Sequence, residues 1–396
     1  MKVVAINTVA SADNAPGRIM TGICTAIADA GHEAIAVYGR GKAPDAGVIR
    51  SVRMGSDAAV LCHTLMSRLT DSEGLHSKCA TRQLVRVLDR EQPDIIHLHN
   101  LHGHYLNYPS LVSWINSVGI PVVWTLHDCW PMTGHCAYYH DCRKWLSGCN
   151  DCRQLSYYPK SMLLCRSGRN SRMKRMLFGS IRNLTVVAVS RWLADEVGRS
   201  FLGDNPVRVI PNGVETDCFK PHVAAIGNRR FTILGVASRW ERRKGLDTFV
   251  SLAPHLEGWG EIILVGVDKH EPLPRPVKAI GRITSPQELS RVYSCADLFI
   301  NPSKAETFGM TTVEAMACGT PVIVNNSTAL PECVAHDTGI VVDTGNIDAL
   351  LRSINEIRSK GKAYYSARCI SHIRDNYSIK RMTDAYLSLY NSVLGR

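Results

Sequence analysis

The sequence contains no apolar run that approaches the roughly 20 residues a helix needs to cross a bilayer. It also lacks both G-x-G-x-x-G and G-x-x-x-x-G-K-[ST], the glycine patterns of the dinucleotide-binding and P-loop folds. Aromatic residues make up 7% of the chain, and they do not recur with basic residues in the pattern of an RNA-binding sheet. A membrane span is therefore excluded, and these three modes of nucleotide or nucleic-acid binding are disfavoured.

Length and composition predict a soluble protein of two domains. The chain has 396 residues, 45% of them hydrophobic, which is more than one typical domain needs. The start, MKVVAINTVASA, has the lysine and small residues of a secretion signal, but Asn7 and Thr8 interrupt its apolar patch. We therefore expect this segment to form the first strand. The expected location is cytoplasmic, with peripheral attachment to the inner face of the cell membrane.

Positive charge is concentrated in one stretch of the chain. The net charge is +11, and residues Arg143 to Arg182 carry ten Lys or Arg against the single acid Asp151, a net +9 (10 minus 1). Such an asymmetry predicts an anionic partner. The candidates are an acidic membrane face, a lipid-linked diphosphate acceptor, an anionic glycan and nucleic acid. A solvated basic face without a partner is the alternative.

The cysteine spacing predicts a metal site. The chain has 14 cysteines, and four of the six between Cys129 and Cys165 have a spacing suited to one tetrahedral zinc with a single C-x2-C knuckle. A reducing cytosol argues against disulfides. His135 and His140 are alternative ligands, and a cluster without metal stays open. The predicted ligands of this structural zinc are Cys136, Cys142, Cys149 and Cys152.

Alternating strand and helix patterns predict an α/β fold with two parallel, doubly wound sheets. The first half shows strand patterns such as VVAIN, EAIAVYG, DIIHLHN, PVVWTLHD and TVVAVS, and the second half restarts with FTILGVAS, EIILVGV, VKAIGRI, ADLFINP, PVIVNN and GIVVD. Pro, Asn and Gly between the halves place the boundary near Pro211 to Lys220. A final helix is expected from about Ser378 to Leu394.

The segment from Asn301 to Val324, NPSKAETFGMTTVEAMACGTPVIV, joins a strand end, an acidic loop and a helix start. Glu306 falls in the loop, and the helix pattern TTVEAMA ends at Gly319. In a parallel sheet this loop opens at the carboxyl edge, where ligands bind. The helix start offers unpaired N–H groups from about Phe308 to Thr312, which can hold a phosphate or the oxygens of a sugar.

Glu306 and Glu314 lie eight positions apart, within the runs PS-x-x-E-x-FG and A-x-A-CG-x-PVI. With these runs the chain resembles the nucleotide-sugar transferases of family 4, retaining enzymes of the GT-B fold. The resemblance implies that Glu306 holds the transferred sugar and Glu314 the ribose of the nucleotide. It also implies two Rossmann-like domains facing across a cleft. Residues 1–210 would form the acceptor domain, with a basic, Cys-rich insertion at 129–182, and residues 211–377 the nucleotide-sugar domain. A terminal helix, 378–396, would cross back to the first domain.

The same resemblance assigns further residues at strand ends. Arg239 and Lys244 match the basic pair on the donor diphosphate, and His127 matches the active-site histidine that orients the donor sugar or the acceptor. Arg242 and Arg243 are interpreted as solvated bystanders. Gly17 is expected to let the backbone approach a ligand. The remaining predicted donor contacts are made by Arg282, Ile283, Phe308, Gly309, Met310 and Thr311.

Four histidines follow another strand of the first half, in HLHNLHGH. A metal site is one interpretation, but alternate strand residues point to opposite faces and no carboxylate accompanies the group in the sequence. We expect these histidines to shape the acceptor pocket instead. They are His97, His99, His102 and His104.

The function predicted from these patterns is sugar transfer from a UDP- or GDP-sugar to the hydroxyl of a glycan or lipid-linked glycan, in bacterial surface polysaccharide synthesis. The two basic residues and the helix start would stabilise the departing nucleotide, so that no metal is required for catalysis. Two alternatives stay open: a nucleic-acid-binding protein that uses the basic insertion, and another GT-B enzyme such as a nucleotide-sugar epimerase.

Overall fold

A computed structural model describes residues 1–11, 14–44, 49–222, 230–268 and 270–395. The chain divides into two compact units. The first consists of residues 1–210 together with 383–396, and the second of residues 211–382.

The first unit is built on a seven-stranded, wholly parallel sheet in the order β3-β2-β1-β4-β5-β6-β7. Val3, Val4, Ala5 and Ile6 of the central strand are all buried, because helices cover both faces of a doubly wound sheet. The strands are β1 (Lys2–Val9), β2 (Glu33–Arg40), β3 (Arg50–Arg53), β4 (Ile95–Leu98), β5 (Val122–Leu126), β6 (Leu184–Ala188) and β7 (Val207–Val209).

The helices of the first unit have conventional ends. Asn14 and Ser56 cap the first two helices with their side chains, and Gly119 ends the fourth in the left-handed conformation. They are α1 (Ala15–Asp29), α2 (Asp57–Thr70), α3 (Lys78–Glu91), α4 (Tyr108–Val118), α5 (Ser167–Phe178) and α6 (Arg191–Gly198).

The second unit contains a six-stranded parallel sheet in the order β10-β9-β8-β11-β12-β13. Its strands are β8 (Phe231–Val236), β9 (Gly260–Val265), β10 (Val277–Ile280), β11 (Leu298–Asn301), β12 (Val322–Asn325) and β13 (Gly339–Val342). Its helices are α7 (Leu246–Leu252), α8 (Pro286–Cys295), α9 (Met310–Ala317), α10 (Ile347–Lys360) and α11 (Lys362–Tyr377).

The last helix, α12 (Ile379–Val393), begins in the second unit and ends in the first. In the first unit the Tyr386 hydroxyl lies 2.8 Å from Thr125 Oγ1, and the Tyr390 hydroxyl lies 2.7 Å from His97 Nδ1. Both tyrosines are buried, so this part of the helix belongs to the core of the first unit.

The predicted fold class, α/β with two doubly wound parallel sheets, is confirmed. In each sheet the strand order reverses beside the first strand of the unit, between β1 and β4 in one and between β8 and β11 in the other. Ligands of open α/β sheets bind outside the carboxyl ends of the strands at such a point. Across the described part of the chain, each helix is too short or too polar to cross a bilayer.

Candidate functional site

The reversal point of the second sheet brings Lys244 and Glu306 together. Lys244 lies in the loop after β8, and Glu306 lies in the loop after β11, which is the neighbouring strand. Lys244 Nζ donates a short hydrogen bond to Glu306 Oε1, and both side chains are largely buried. Two of the residues predicted from the sequence are therefore ion-paired at the edge where a ligand of this fold is expected.

Arg243 is a third member of this cluster. Its Nη1 lies 3.8 Å from Glu306 Oε2 and donates to the Ala305 carbonyl oxygen at 3.2 Å, and its side chain is only 17% exposed. The interpretation of Arg243 as a solvated bystander is therefore wrong. Arg242 is exposed, as predicted. Glu306 thus faces two cations rather than one.

The charges of the cluster control its protonation. Burial alone would raise the pKa of Glu306, but the positive charges of Lys244 and Arg243 hold that pKa below its usual value. Burial lowers the pKa of Lys244, and the Glu306 carboxylate opposes this effect. Glu306 is therefore a carboxylate at neutral pH and can accept hydrogen bonds from hydroxyl groups.

Backbone contacts fix the loop that carries Glu306. Its N–H donates to Thr328 Oγ1 at 2.8 Å, and the Thr328 hydroxyl donates back to the Glu306 carbonyl oxygen at 2.7 Å. Asn325, at the end of β12, donates to the Pro302 carbonyl oxygen at 2.7 Å. Gly245 is needed on the opposite loop, because its φ is +73° and a Cβ there would lie 2.5 Å from the same Pro302 oxygen.

The start of α9 follows directly on this loop. Gly309 precedes the helix with φ +108°, a conformation that favours glycine, and Met310 and Thr311 begin the first turn. The Thr312 amide donates to the Gly309 carbonyl oxygen at 2.9 Å, so Thr312 is not one of the open donors expected from the sequence. Phe308 is buried against Tyr377, with ring centroids 5.6 Å apart, and anchors the turn.

Glu314 lies on the buried face of α9. Its Oε2 accepts a hydrogen bond of 3.1 Å from the Tyr293 hydroxyl, and the residue is 2% exposed. Tyr293 belongs to α8, so the neighbouring helix fixes the orientation of the carboxylate. A buried carboxylate needs such partners, and paired ribose hydroxyls are of the same chemical kind.

The other basic residue predicted for the diphosphate is not part of the cluster. Arg239 follows β8 but is exposed, and it forms no ion pair with any described side chain. Arg282 and Ile283 lie in the loop after β10, at the same carboxyl edge of the sheet but two strands away from β8. The cluster itself therefore consists of Arg243, Lys244 and Glu306.

In the first unit the predicted active-site histidine is paired with a second histidine. His127 follows β5 and His99 follows the adjacent strand β4. His99 Nδ1 lies 2.9 Å from His127 Nε2, and the two rings stack at 5.2 Å with an interplanar angle of 10°. Burial lowers the pKa of His127 to about 4, although Asp128 opposes the shift. His127 is therefore a neutral imidazole near pH 7.

Carboxylates do accompany the histidines after β4, contrary to the sequence-based expectation. Asp128 Oδ2 lies 2.7 Å from His102 Nε2, and Glu73 pairs with His104. Asp128 directly follows His127, whereas Glu73 comes from the turn after α2 and is remote in sequence. The partners of these histidines are therefore supplied by neighbouring loops.

One metal-like group is present near these residues. Among the described residues it is the single set of three or more candidate ligands whose donor atoms all lie within 4.8 Å of one another: His63, Glu73 and His104. His63 Nε2, however, accepts the Gly74 N–H at 3.2 Å, and Glu73 Oε1 accepts the N–H groups of Gly103 and His104 at 2.8 Å. These lone pairs serve the backbone, so we interpret the group as a structural network.

The packing of the protein's own backbone requires glycine at position 17. It lies in the first turn of α1, where a Cβ would come within 2.3 Å of the Ser11 carbonyl oxygen. Its N–H donates to Asn14 Oδ1 at 2.9 Å. The predicted close approach is thus made by the protein's own backbone, and the Gly17 amide is already used by the cap.

The four predicted metal ligands surround one small cavity in the segment between β5 and α5. Cys136, Cys142, Cys149 and Cys152 all line it, together with His135.

The predicted basic face of this region has one member fewer than the sequence suggests. Lys174 is buried and donates to the carbonyl oxygens of Trp130 and Thr133 at 2.7 and 3.0 Å, so its charge does not reach the surface.

The sequence reasoning missed Arg243, His99 and Asp128 as members of the two clusters. Arg243 directly precedes and Asp128 directly follows a residue that was singled out, and His99 follows the strand next to the one that His127 follows. Strand adjacency was the missing information. It depends on the sheet order, which the sequence pattern does not supply.

Comparison with known proteins supports these observations. Two family models match the chain: "Glycosyltransferase Family 4" over residues 17–218 and "Glycosyl transferases group 1" over residues 230–360. The Escherichia coli K12 protein WcaC, named as a glycosyl transferase of colanic acid biosynthesis, is 26% identical over 328 residues, which cover 78% of this chain and 80% of WcaC.

A second relative is LpcC of Rhizobium leguminosarum bv. viciae, named as a mannosyltransferase of lipopolysaccharide core biosynthesis. It is 30% identical over 255 residues, covering 56% of this chain and 72% of LpcC. Among solved structures, Anabaena Alr3699/HepE in complex with UDP superposes with a TM-score of 0.65 at 16% identity, over 99% of this chain and all of that one. This likeness concerns the fold.

Proposed function

The chain belongs to Glycosyltransferase Family 4 and is a glycosyltransferase, and from this premise we propose that it transfers a hexosyl group from a UDP- or GDP-sugar with retention of anomeric configuration. The acceptor is a hydroxyl of a glycan or of a lipid-diphosphate-linked glycan in bacterial surface polysaccharide synthesis. The names of WcaC and LpcC support this setting.

The observation that carries the proposal is the cluster of Glu306, Lys244 and Arg243 at the reversal point of the second sheet. A carboxylate accepts hydrogen bonds from the vicinal hydroxyls of a sugar, and cations bind the diphosphate that leaves. The helix start at Met310 and Thr311 adds backbone donors on the same loop. The carboxylate therefore matches the sugar of a nucleotide sugar, and the two cations match its diphosphate.

In the reaction the bond between the anomeric carbon and the diphosphate oxygen breaks, and its electron pair goes to that oxygen. The acceptor oxygen attacks from the same face, and its proton passes to the departing phosphate. Lys244 and Arg243 stabilise the negative charge that develops there, an effect worth several kcal/mol in a preorganised site. No protein residue is assigned as a general base, and no metal is required for this step.

The remaining roles follow from position. Glu314 binds the ribose hydroxyls, and the loop Gly281 to Ile283 receives the base. Arg239 is exposed beside the end of β8 and closes on the diphosphate when the donor binds. His127, a neutral imidazole held by His99, orients the acceptor hydroxyl by hydrogen bonding. A nucleotide donor also agrees with the UDP that is bound in the structurally similar Alr3699/HepE.

A panel of UDP- and GDP-sugars tests the proposal. We expect at least one donor to raise the thermal midpoint of unfolding, because a ligand that binds the folded protein stabilises it, and to release UDP or GDP slowly in water. Nucleotide release distinguishes transfer from epimerisation, which would change the sugar without freeing the nucleotide. Absence of both stabilisation and release across the whole panel would contradict the proposal.

The acceptor side of the proposal includes an anionic membrane surface. An apolar patch formed by the exposed face of α2 and the loop 161–164 supports it. Leu61 and Leu65 lie one helical turn apart on α2, and Met162 and Leu163 are each more than 70% exposed. The loop is tied to the helix by a 2.6 Å hydrogen bond from Met162 N to the Arg68 carbonyl oxygen.

Exposed cations border this patch. They lie at the end of α2, before the loop 161–164 and along α5. The start of α5 is held to Asp71, because the Arg166 N–H donates to Asp71 Oδ2 at 2.7 Å. Apolar side chains that enter the acyl boundary, beside cations that meet lipid phosphates, are typical of peripheral membrane proteins. The cations are Arg68, Lys160, Arg169, Arg172 and Arg175.

Vesicle flotation measures this attachment. The wild-type protein should float with vesicles that contain phosphatidylglycerol and not with pure phosphatidylcholine. The double variant Leu65→Glu/Met162→Glu should lose most of the binding, because two charges would have to enter the interface. The matched control, Val250→Glu/Val341→Glu in the second unit, should bind as the wild type does. Equal flotation of both variants, or no dependence on anionic lipid, would refute the attachment.

A further inference from the structure

The segment 127–166, between β5 and α5, contains no strand and no α-helix. Its regular structure is limited to a single 3-10 turn, Lys144–Leu146. Loops longer than about 12–15 residues without structure of their own are uncommon in compact domains. A segment of this length with buried tryptophans needs a cross-link or a small core to hold one conformation.

The core of the segment is small. Trp145 is buried and packs against Tyr139 with ring centroids 5.3 Å apart. The cavity beside these rings is lined by the four cysteines of the C-x5-C-x6-C-x2-C run. All four are free thiols, and no disulfide joins any pair of described cysteines.

Backbone N–H groups point at two of these sulfurs. Gly134 N lies 3.1 Å from Cys149 Sγ, and Gln154 N lies 3.4 Å from Cys152 Sγ. Such donors stabilise the thiolate form, which is the form that binds metal. A side chain at Gly134 would come within 2.7 Å of Cys149 Cβ and 2.1 Å of the Ser167 carbonyl oxygen, so the close approach depends on glycine.

A buried nitrogen in the wall of the same cavity has no partner among the described residues. His135 is 3% exposed, its Nδ1 lies 2.6 Å from Asp71 Oδ1, and its Nε2 has no hydrogen-bond partner. A histidine whose first nitrogen is held by a carboxylate, with the second left as a lone pair, is the arrangement seen around protein-bound zinc. The cavity therefore contains five candidate donors of the types that zinc prefers.

We propose that this cavity binds one structural zinc ion through the thiolates of Cys136, Cys142, Cys149 and Cys152. The donor set consists of four soft sulfur ligands, the number that tetrahedral zinc requires, and it favours zinc over harder ions. The metal draws the thiols closer together, since no three of the sulfurs lie within 4.8 Å of one another in the described structure. His135 then borders the site without coordinating, because four thiolates already complete the tetrahedral coordination of a structural zinc.

The zinc would stabilise the end of β5 as well as the segment itself. Cys129 N donates to the Ala137 carbonyl oxygen at 2.9 Å, and Trp130 N donates to Asp128 Oδ1 at 2.9 Å. Ala137 follows a ligand, and Asp128 follows His127. The site is thus connected through the hydrogen bond between Cys129 and Ala137, and through the backbone from Cys129 to His127, to the paired histidines His99 and His127.

Metal content tests the proposal on the full chain. Protein purified without added metal should contain about one equivalent of zinc, and each of the four Cys→Ser variants should fall below about 0.2 equivalents. The control Cys62→Ser, an exposed thiol on α2, should retain the full equivalent. His135→Ala should also retain it. Wild-type protein with less than about half an equivalent would refute the site, and iron in place of zinc would refute its assignment.

Two further measurements keep the ligand set testable if a variant folds poorly. Cobalt exchanged into the wild type should give the thiolate-to-metal charge-transfer absorption of a four-sulfur site, and removal of zinc by a chelator should lower the thermal midpoint. If one of the four Cys→Ser variants retained zinc and His135→Ala lost it, His135 rather than that cysteine would be the fourth ligand. That result would overturn the four-thiolate assignment. None of these readouts depends on transfer activity, so this proposal can fail while the proposed function stands.

Discussion

Replacement of Lys244 by alanine should reduce the rate of sugar transfer at least about 100-fold, equivalent to about 2.7 kcal/mol of transition-state stabilisation. The ammonium group is paired with Glu306. In the proposed mechanism it meets the diphosphate once the donor binds. Its loss removes a cation at the point where negative charge develops. Initial rates with saturating donor and acceptor measure the effect, and circular dichroism and thermal unfolding verify that the fold is unchanged.

The same variant should shift the pH dependence in a defined direction. Lys244 and Arg243 hold the pKa of Glu306 below its usual value against the effect of burial. Without Lys244, the effect of burial on Glu306 is opposed by one cation fewer, and the pKa of Glu306 rises. The acid limb of the kcat/KM profile should therefore move to higher pH. The control is Lys304→Ala, which removes an exposed cation from the loop of Glu306, where it pairs with Asp247 of α7; it should leave rate and profile unchanged. A shift to lower pH would contradict the account.

Glu306→Gln should lower kcat/KM by a similar factor, at least about 100-fold, although the amide has nearly the shape of the carboxylate. An amide accepts with one oxygen rather than two and carries no charge. It therefore binds the sugar hydroxyls less well, and it leaves Lys244 and Arg243 without their counter-charge. Because Arg243 also donates to the Ala305 carbonyl oxygen, the loop itself should stay in place.

Glu332→Gln, an acid in the 3-10 turn Leu330–Cys333 that follows β12, serves as the comparison for a general effect of lost charge. Steady-state kinetics with the donor identified by the panel separate a loss in kcat from a loss in donor affinity. Activity of Glu306→Gln within a factor of three of the wild type would remove Glu306 from the donor site.

The fold was predictable from the sequence because its signals are local. Each central strand is a short apolar run bounded by Gly, Pro or polar residues. The helix of TTVEAMA ends at Ala317, and the expected stop residue Gly319 follows its C-cap with φ +76°. The edge strands β3 and β7 carry no such signal. Their residues are at least partly exposed, so RSVR and VRV have the composition of loops.

The candidate site was only partly predictable, because its members meet through strand adjacency. Lys244 and Glu306 could be singled out by the family resemblance, yet their direct pairing depends on β8 and β11 being neighbours. Arg243 and Arg242 cannot be distinguished by residue type, and only the loop geometry turns one toward Ala305 and the other toward solvent. Glu73 and His104 are 31 positions apart, beyond any local pattern.

Calorimetric titration of the identified donor, without acceptor, into the wild type and into the double variant Glu306→Gln/Lys244→Ala tests the central claim most directly. If the reversal point of the second sheet grips the nucleotide sugar through this ion pair, the double variant should lose at least about 100-fold in affinity for the donor while retaining its fold. Donor binding of unchanged affinity in the double variant would show that the nucleotide sugar is held elsewhere.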